Sequence, residues 1–177
     1  ANKASSCLVN PFAGRELDIA IKPAETPQKI AVIGAGPAGL SAALTAAECG
    51  HSVTLYEAGA VLGGQFNLAK RIPGKEDFDE TIRYFRTRLG QEGVDVRLNT
   101  KADADALAKD GYEHVIVATG VSPRALDLEG ADGDNVISYI DALTDAKPVG
   151  DRVAIIGSGG IGFDVAEYVT SPHKSLP

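Results

Sequence analysis

The sequence contains no methionine and only two cysteines among its 177 residues. Because it begins at Ala1 and lacks methionine altogether, we expect it to be part of a longer chain. Two cysteines without a signal peptide before them argue against the disulfide framework that small secreted domains use. The cysteine count therefore favours a protein that keeps its thiols reduced.

Long apolar runs and clustered positive charge are also missing. No stretch of 18 apolar residues occurs, so the sequence predicts no membrane span. The formal net charge of -7 argues against a nucleic-acid partner, because a surface that follows phosphates needs clustered Lys and Arg. With 44% hydrophobic residues, the chain is long enough to bury a core. We therefore expect a cytoplasmic α/β protein without a membrane or nucleic-acid partner.

A glycine-rich turn directly after a β-branched run is the first strong signal, KIAVIGAGPAG at 29–39. Gly34 would allow the tight turn out of a strand, and Gly36 would let the backbone approach a pyrophosphate. Gly39 would let the next helix pack closely on the sheet. Pro37 suits the first helical turn, whose unpaired N–H groups favour an anion. This motif predicts a dinucleotide-binding turn.

The residues after this turn supply the rest of a βαβ unit. An Ala-rich helix is predicted to stop at Gly50, and a second strand is predicted over 52–56. Glu57 ends that strand 18 residues after Gly39, close to where this fold places an acid against a ribose hydroxyl. The order of elements makes the dinucleotide interpretation much stronger than a lone glycine motif would.

A second turn of the same kind follows a predicted strand at 152–156, with the sequence RVAIIGSGGIG. Gly157, Gly159 and Gly162 take the three motif positions, and a helix ending near Pro172 is predicted after them. The residue that would separate NAD from NADP is expected about 20 positions beyond Gly162, past the end of the sequence. The sequence leaves that choice open.

Between the turns, the pattern predicts further helices and strands. They are a functional loop at 58–75, a helix at 78–89, a strand at 94–98, a helix at 104–109, a buried strand at 112–119 and an amphipathic stretch at 137–143. We divide the chain into a connector at 1–28, an FAD-binding unit at 29–128 and the start of an NAD(P)H-binding unit at 129–177.

Five segments together resemble one family of flavoproteins. They are SCLVNP at 6–11, GAGPAG at 34–39, GGQFNLAKRIPGK at 63–75, VIVATG at 115–120 and GSGGIGFD at 157–164. The chain is similar to the carboxy-terminal part of the bacterial 2,4-dienoyl-CoA reductases, iron-sulfur flavoenzymes of the old yellow enzyme group related to trimethylamine dehydrogenase. The resemblance implies a Rossmann-like α/β fold with a parallel sheet, in which the second nucleotide-binding unit is incomplete.

The resemblance also implies a set of cofactor-binding residues. Those that would hold the FAD pyrophosphate are Gly34, Gly36, Pro37, Ala38 and Gly39, and Glu57 would bind the adenosine ribose. Gly64 and Gln65 would touch FAD from the loop, and the other residues predicted to bind a cofactor are Arg71, Ala102, Thr119 and Gly120. Those that would hold the pyrophosphate of NADPH are Gly157, Gly159, Gly160 and Gly162.

In such enzymes NADPH reduces FAD, and electrons pass through a 4Fe-4S cluster to FMN, which reduces an unsaturated acyl-CoA. The cofactors carry this chemistry, so we expect no catalytic side chain here and dinucleotides as the ligands. The resemblance makes Cys7 one ligand of the cluster, but a cluster is held by four thiolates. We therefore expect FMN and the cluster in the longer parent, and in this chain Cys7 as a reduced thiol.

Two other interpretations stay open. The chain is also compatible with a binding module that holds FAD or ADP without turnover, or with an amine dehydrogenase parent that does not use a nicotinamide. The intact second glycine motif argues against the latter. Asp164 allows two interpretations as well, because it either faces a nicotinamide or lies on the helix surface.

Overall fold

The computed structural model describes residues 7, 10, 12–124 and 126–171. The strands and helices in this part of the chain are, in order, β1 (Lys29–Ile33), α1 (Pro37–Glu48), β2 (Ser52–Tyr56), α2 (Phe66–Ala69), α3 (Phe78–Gln91), β3 (Asp95–Arg97), α4 (Ala104–Lys109), β4 (His114–Val117), α5 (Tyr139–Leu143) and α6 (Gly160–Thr170). Strands alternate with helices over most of this order, so the predicted α/β class is confirmed.

The chain divides into two compact units. The first is built from Ala1–Gly63 and Thr81–Thr119, and the second from Gly64–Glu80 and Gly120–Pro177. The domain bounds predicted from the sequence stay a prediction. Within the described residues, no helix has both the length and the apolar composition needed to cross a bilayer.

The first unit is organised by a parallel sheet with strand order β3-β2-β1-β4. In its register, Ala31 of β1 lies opposite Thr54 of β2 and Val115 of β4. Parallel neighbours need a crossover connection, and α1 provides it between β1 and β2. The predicted βαβ unit is therefore confirmed, with strands and helix at the positions that the sequence indicated.

Helix α1 forms where its residues favour it. Pro37 occupies the first turn, an Ala-rich run follows, and Gly50 ends the turn with a φ of 89°. The helix packs against β1, β2 and β4. Its buried face, with Leu40 and Leu44, lies on the strand core around Leu55. This packing fixes the direction in which the amino-terminal end of α1 points.

A polar network joins Tyr56 at the end of β2 to Arg97 at the end of β3 and to Tyr112, which precedes β4. The hydroxyl groups of Tyr56 and Tyr112 share a hydrogen bond of 2.8 Å, and Arg97 Nη1 donates to the Tyr56 oxygen at 3.0 Å. Burial, together with the hydrogen bond with Tyr112, raises the pKa of Tyr56 to about 12. Tyr56, the residue before Glu57, therefore stays neutral and is held in place by Tyr112 and Arg97.

The expectation that residues 112–119 form a buried strand is wrong in one respect. The strand forms over His114–Val117, but Val115 and Val117 are 45% and 72% exposed. β4 lies at the edge of the sheet, and one of its faces is left uncovered by the described residues. An apolar run indicates a strand, whereas its burial depends on what packs against it.

The second unit has a small apolar core of its own. Ile72, Leu143, Val165 and Tyr168 are buried together, with Leu68, Tyr139 and Val169 packed against them. These residues come from α2 and the segment after it, and from α5 and α6. Ser138 and Asp141 form a reciprocal capping box that starts α5. The amphipathic stretch predicted at 137–143 is therefore a short helix facing this core.

The strand predicted at 152–156 is wrong, because these residues have no strand structure. Val153, Ile155 and Ile156 are exposed, and no strand occurs among the described residues of the second unit. A strand needs a neighbour that satisfies its N–H and C=O groups. Since no partner is present in the described part of this unit, the β-branched run alone does not form a strand. The helix predicted after the second motif is confirmed as α6.

We expect Leu55→Ala to lower the free energy of unfolding by about 2–5 kcal/mol, because it opens a cavity in the centre of the sheet. Leu55 is 0% exposed, whereas Leu17 is fully exposed. Leu17→Ala is therefore the matched control and should stay within about 0.5 kcal/mol of the wild type. Urea denaturation followed by circular dichroism measures both values. Equal losses in the two variants would contradict the assignment of the core.

Candidate functional site

The first glycine turn joins β1 to α1 in a way that requires glycine at two positions. Gly34 has a φ of 102°, and its N–H donates to the carbonyl oxygen of Tyr56 at 2.7 Å. A Cβ on Gly34 would overlap the carbonyl group of Ala118, and a Cβ on Gly39 would overlap the carbonyl oxygen of Gly34. The backbone of α1 therefore lies directly against the turn.

Gly36 differs from its two neighbours in the motif. A Cβ on Gly36 would have no atom within 4 Å. Gly36 is also the N-cap of α1, and no side chain caps this helix. By contrast, Asp103 caps α4 and Ser138 caps α5. The amino-terminal N–H groups of α1 are thus left for a ligand, and they favour an anion such as a pyrophosphate.

Glu57 lies beside this turn and its carboxylate is held by two backbone groups. Oε2 accepts a hydrogen bond from the N–H of Ala35 at 2.8 Å, and Oε1 accepts one from the N–H of Gly59 at 2.7 Å. Each carboxylate oxygen can accept more than one hydrogen bond. The carboxylate is therefore oriented by the turn and still able to accept a hydroxyl, as ribose binding requires.

Further predicted residues lie around the same turn. The N–H of Gly63, the residue before Gly64, donates a hydrogen bond to the carbonyl of Ala35 at 2.8 Å. Thr100, two residues before Ala102, donates its N–H to the carbonyl of Glu57 at 2.8 Å. The Cα of Thr119 would lie 3.1 Å from a Cβ on Gly34.

The structure thus brings the predicted residues of the first unit together at the carboxyl ends of β1, β2 and β4, where this fold places its ligand. They are Gly34, Gly36, Pro37, Ala38, Gly39, Glu57 and Thr119, with the segment that leads to Ala102.

The second glycine turn repeats this geometry within the second unit. Gly157 has a φ of 118°, and a Cβ on Gly162 would overlap the carbonyl oxygen of Gly157. Gly159 and Gly160 have open space at their Cβ positions. Gly159 is the N-cap of α6, again with no side-chain cap. The second turn therefore has the same close glycine contact and uncapped helix start as the first, even though the residues before it are not a strand.

Two predicted loop residues have partners in the second unit. Gln65 Nε2 donates to the carbonyl of Val121 at 2.9 Å, next to Gly120. Arg71 forms an ion pair with Asp145 and donates from Nη2 to the hydroxyl of Tyr168 at 3.0 Å. The guanidinium is therefore engaged by the protein itself, and the role of Arg71 in cofactor binding stays a prediction.

Tyr168 and Asp145 complete a network that the sequence did not reveal. The hydroxyl of Tyr168 donates to Asp145 Oδ1 at 2.9 Å. Burial raises the pKa of Tyr168, and the hydrogen bond to Asp145 raises it while that from Arg71 lowers it. Val165, Tyr168 and Val169 are spaced as a buried helix face, which was the available signal for Tyr168. Asp145 has no such signal, since its φ of 54° is a property of the folded loop.

Asp164, for which the sequence left two interpretations, is paired in the structure. Its Oδ1 lies 2.6 Å from Nζ of Lys75, and both side chains are about one-third exposed, at 31% and 38%. Lys75 is not among the site residues that the sequence predicts. A lysine after a Pro-Gly turn is common on loops, so nothing in the sequence distinguished it.

A metal centre is not supported by the described residues. Among residues 7, 10, 12–124 and 126–171, no three His, Cys, Asp or Glu side chains lie close enough to hold a metal ion. Cys7 is exposed, and Cys49 is partly buried. One thiolate does not fit a 4Fe-4S cluster, which takes four. The role of Cys7 as a cluster ligand therefore stays a prediction about a longer protein.

Comparison with known proteins gives a family match. Residues 28–175 match the sequence model of the family described as pyridine nucleotide-disulphide oxidoreductase. The chain is 38% identical over 176 residues to cinnamate reductase of Clostridium sporogenes, with 97% of this chain and 25% of that protein covered. It is 39% identical over 168 residues to NADH oxidase of Thermoanaerobacter brockii, with 92% and 26% covered.

A solved structure is also similar. The chain matches a complex of 2-naphthoyl-CoA reductase with 2-naphthoyl-CoA at a TM-score of 0.86 and 38% identity, covering 92% of this chain and 25% of that one. The chain thus spans about a quarter of the length of the proteins that it matches.

We expect Gly36→Ala to weaken FAD binding by at least about tenfold, because the added methyl group would occupy the space left for a pyrophosphate. Its φ of -74° suits alanine, so the loss of stability should stay below about 1 kcal/mol. Gly90 in α3 is the control, since its Cβ position is also open. Gly90→Ala should bind FAD as the wild type does. Flavin fluorescence quenching measures both affinities, and equal affinities would contradict the cradle.

Proposed function

The chain belongs to the pyridine nucleotide-disulphide oxidoreductase family, and from this premise we propose that it is the FAD- and NADPH-binding part of an iron-sulfur flavin reductase. The similarity to cinnamate reductase, NADH oxidase and 2-naphthoyl-CoA reductase agrees with the resemblance to the 2,4-dienoyl-CoA reductases. The observation that carries the proposal is the presence of two glycine turns, each followed by a helix whose amino terminus no side chain caps.

The first turn is proposed as the FAD site. The amino-terminal N–H groups of α1 would donate to the pyrophosphate, and Gly36 leaves the room for it. Glu57 would accept a ribose hydroxyl while Ala35 and Gly59 keep its carboxylate oriented. The chain thereby fixes the adenosine half of the cofactor by backbone groups and one carboxylate.

The second turn is proposed as the NADPH site. The amino terminus of α6 would hold the pyrophosphate, with Gly159 and Gly160 leaving space for it. When bound, the two cofactors supply hydride transfer from the nicotinamide to the flavin. The part of this chain is to bind and orient both dinucleotides, and no catalytic side chain is assigned.

The reaction of the longer protein is a further part of the proposal. Cinnamate and 2-naphthoyl-CoA, named in two of the similar proteins, both carry a carbon–carbon double bond conjugated with a carbonyl group. We therefore propose an unsaturated acyl-CoA as the final electron acceptor. FMN and a 4Fe-4S cluster would lie largely outside this chain, with Cys7 contributing one thiolate.

The competing function is an FAD- or ADP-binding module in an amine dehydrogenase-like protein, which would receive electrons from its substrate. Such a protein has no need for a nicotinamide site. The formed turn at Gly157 to Gly162 and the uncapped start of α6 favour the NADPH-dependent reductase.

The test is to titrate the purified chain separately with FAD, ADP and NADPH. We expect FAD to bind, with an absorption band of protein-bound flavin, and NADPH to bind in addition. Glu57→Gln should weaken FAD binding at least about tenfold, because the amide replaces a charged acceptor oxygen. Glu113 is the matched control, since its carboxylate also accepts a backbone N–H, from Lys29 at 2.9 Å.

The outcomes separate the interpretations. Glu113→Gln should leave the FAD affinity unchanged. Binding of ADP without FAD would favour the binding module. FAD binding without NADPH binding would favour the amine dehydrogenase-like protein over the reductase.

A further inference from the structure

Lys75 and Asp164 form an ion pair at the second glycine turn. Lys75 Nζ lies 2.6 Å from Asp164 Oδ1, and each side chain is about one-third exposed. Lys75 belongs to the segment after α2, and Asp164 is the fifth residue of α6. Both residues lie in the second unit. The pair therefore links that segment to the helix that begins at the second motif.

Asp164 is close to the end of α6 where a pyrophosphate would bind. With a rise of about 1.5 Å per residue, its Cα lies roughly 6 Å along the axis from Gly160. Side chains on a helix lean towards its amino terminus, which brings the carboxylate closer still. The first turn of α6 contains no acidic residue, so Asp164 is the first acid along this helix. An unpaired Asp164 would therefore be the nearest carboxylate on this helix to repel the ligand.

We propose that Lys75 sets the affinity of the second dinucleotide site by neutralising Asp164. This inference rests on the proposed function, because it requires a pyrophosphate at the start of α6. Lys75 acts through Asp164, because it changes the charge near the ligand without contacting the dinucleotide. It is therefore a positioning residue and not a catalytic one. Asp164 on α6 would repel the pyrophosphate, and the charge of Lys75, in the segment after α2, cancels this repulsion.

The rest of the second unit holds α6 without this pair. Tyr168 on α6 is buried and bonded to Arg71 and Asp145. Val165 on α6 packs in the apolar cluster that includes Ile72. Arg71 and Ile72 belong to the same segment as Lys75. Loss of the Lys75 charge should therefore leave the helix in place and change the electrostatics at its start.

The chain offers a matched control for a lysine–aspartate pair. Lys70 Nζ lies 2.7 Å from Asp79 Oδ1 in the same unit, and neither residue is on α6. The lysine side chain of this pair is 27% exposed, comparable with Lys75. A general effect of removing a surface ion pair would appear equally in Lys70→Gln and Lys75→Gln.

The experiment measures the dissociation constant of NADPH by nicotinamide fluorescence in the wild type, Lys75→Gln, Asp164→Asn, the double variant and Lys70→Gln. Lys75→Gln should raise it about fivefold, because a carboxylate is left unpaired near the pyrophosphate. Asp164→Asn should bind NADPH as tightly as the wild type or more tightly. The double variant should return to within about twofold of the wild type, since the repelling charge is gone. Lys70→Gln should leave the value unchanged.

The salt dependence of NADPH binding and the affinity for FAD are two further measurements. A purely structural role of the ion pair would not give the pattern expected here. The effect of Lys75→Gln should shrink between about 50 mM and 1 M salt, where the Debye length falls to about 3 Å. The affinity for FAD should be the same in all five proteins.

Equal weakening by Lys75→Gln and Asp164→Asn, without recovery in the double variant, would overturn the inference and assign the pair a tethering role. An unchanged NADPH affinity in Lys75→Gln would also overturn it, with the proposed function intact. A wild-type chain that binds FAD but not NADPH would instead refute the nicotinamide part of the proposed function, and the inference with it.

Discussion

In both glycine turns, the third glycine lies so close to the carbonyl oxygen of the first that a Cβ would overlap it. This contact decides where each following helix begins and how its axis leaves the turn. At the first turn it also brings Gly34 against the backbone of Ala118. The carboxyl ends of the strands, the start of α1 and the carboxylate of Glu57 then meet at one place. The candidate site is a consequence of this close packing of backbone on backbone.

Helix capping distinguishes the two helices that follow the glycine turns from two of the others. The N-cap side chains of α4 and α5 accept hydrogen bonds from the first turn of their helices, whereas α1 and α6 have glycine as the N-cap residue and no such bond. An uncapped amino terminus leaves N–H groups unsatisfied by the protein. A dinucleotide pyrophosphate at the proposed sites would satisfy them and benefit from the helix dipole. The stability that these helices give up in the absence of a cap would be recovered when the ligand binds.

In the second unit, one segment holds the helix of the second motif by apolar and polar contacts. Ile72 packs with Val165 and Tyr168, Arg71 bonds the hydroxyl of Tyr168, and Lys75 pairs with Asp164. The loop that the sequence marked as functional is thus also a structural support. Tyr168 and its partners hold α6 in place, and the more exposed pair of Lys75 and Asp164 lies near the start of that helix.

The sequence by itself determined the βαβ unit, the two glycine turns and the position of the acid Glu57. These features depend on local steric rules and on residues that are close together in the chain. It did not determine the exposure of Val117 or the loss of the strand at 152–156, because burial and strand pairing depend on residues distant in the chain. Only the tertiary structure decided that Arg71 pairs with Asp145 and Lys75 with Asp164, partners more than 70 positions apart. Such pairs leave no periodic pattern in a sequence, since folding alone brings their charges together.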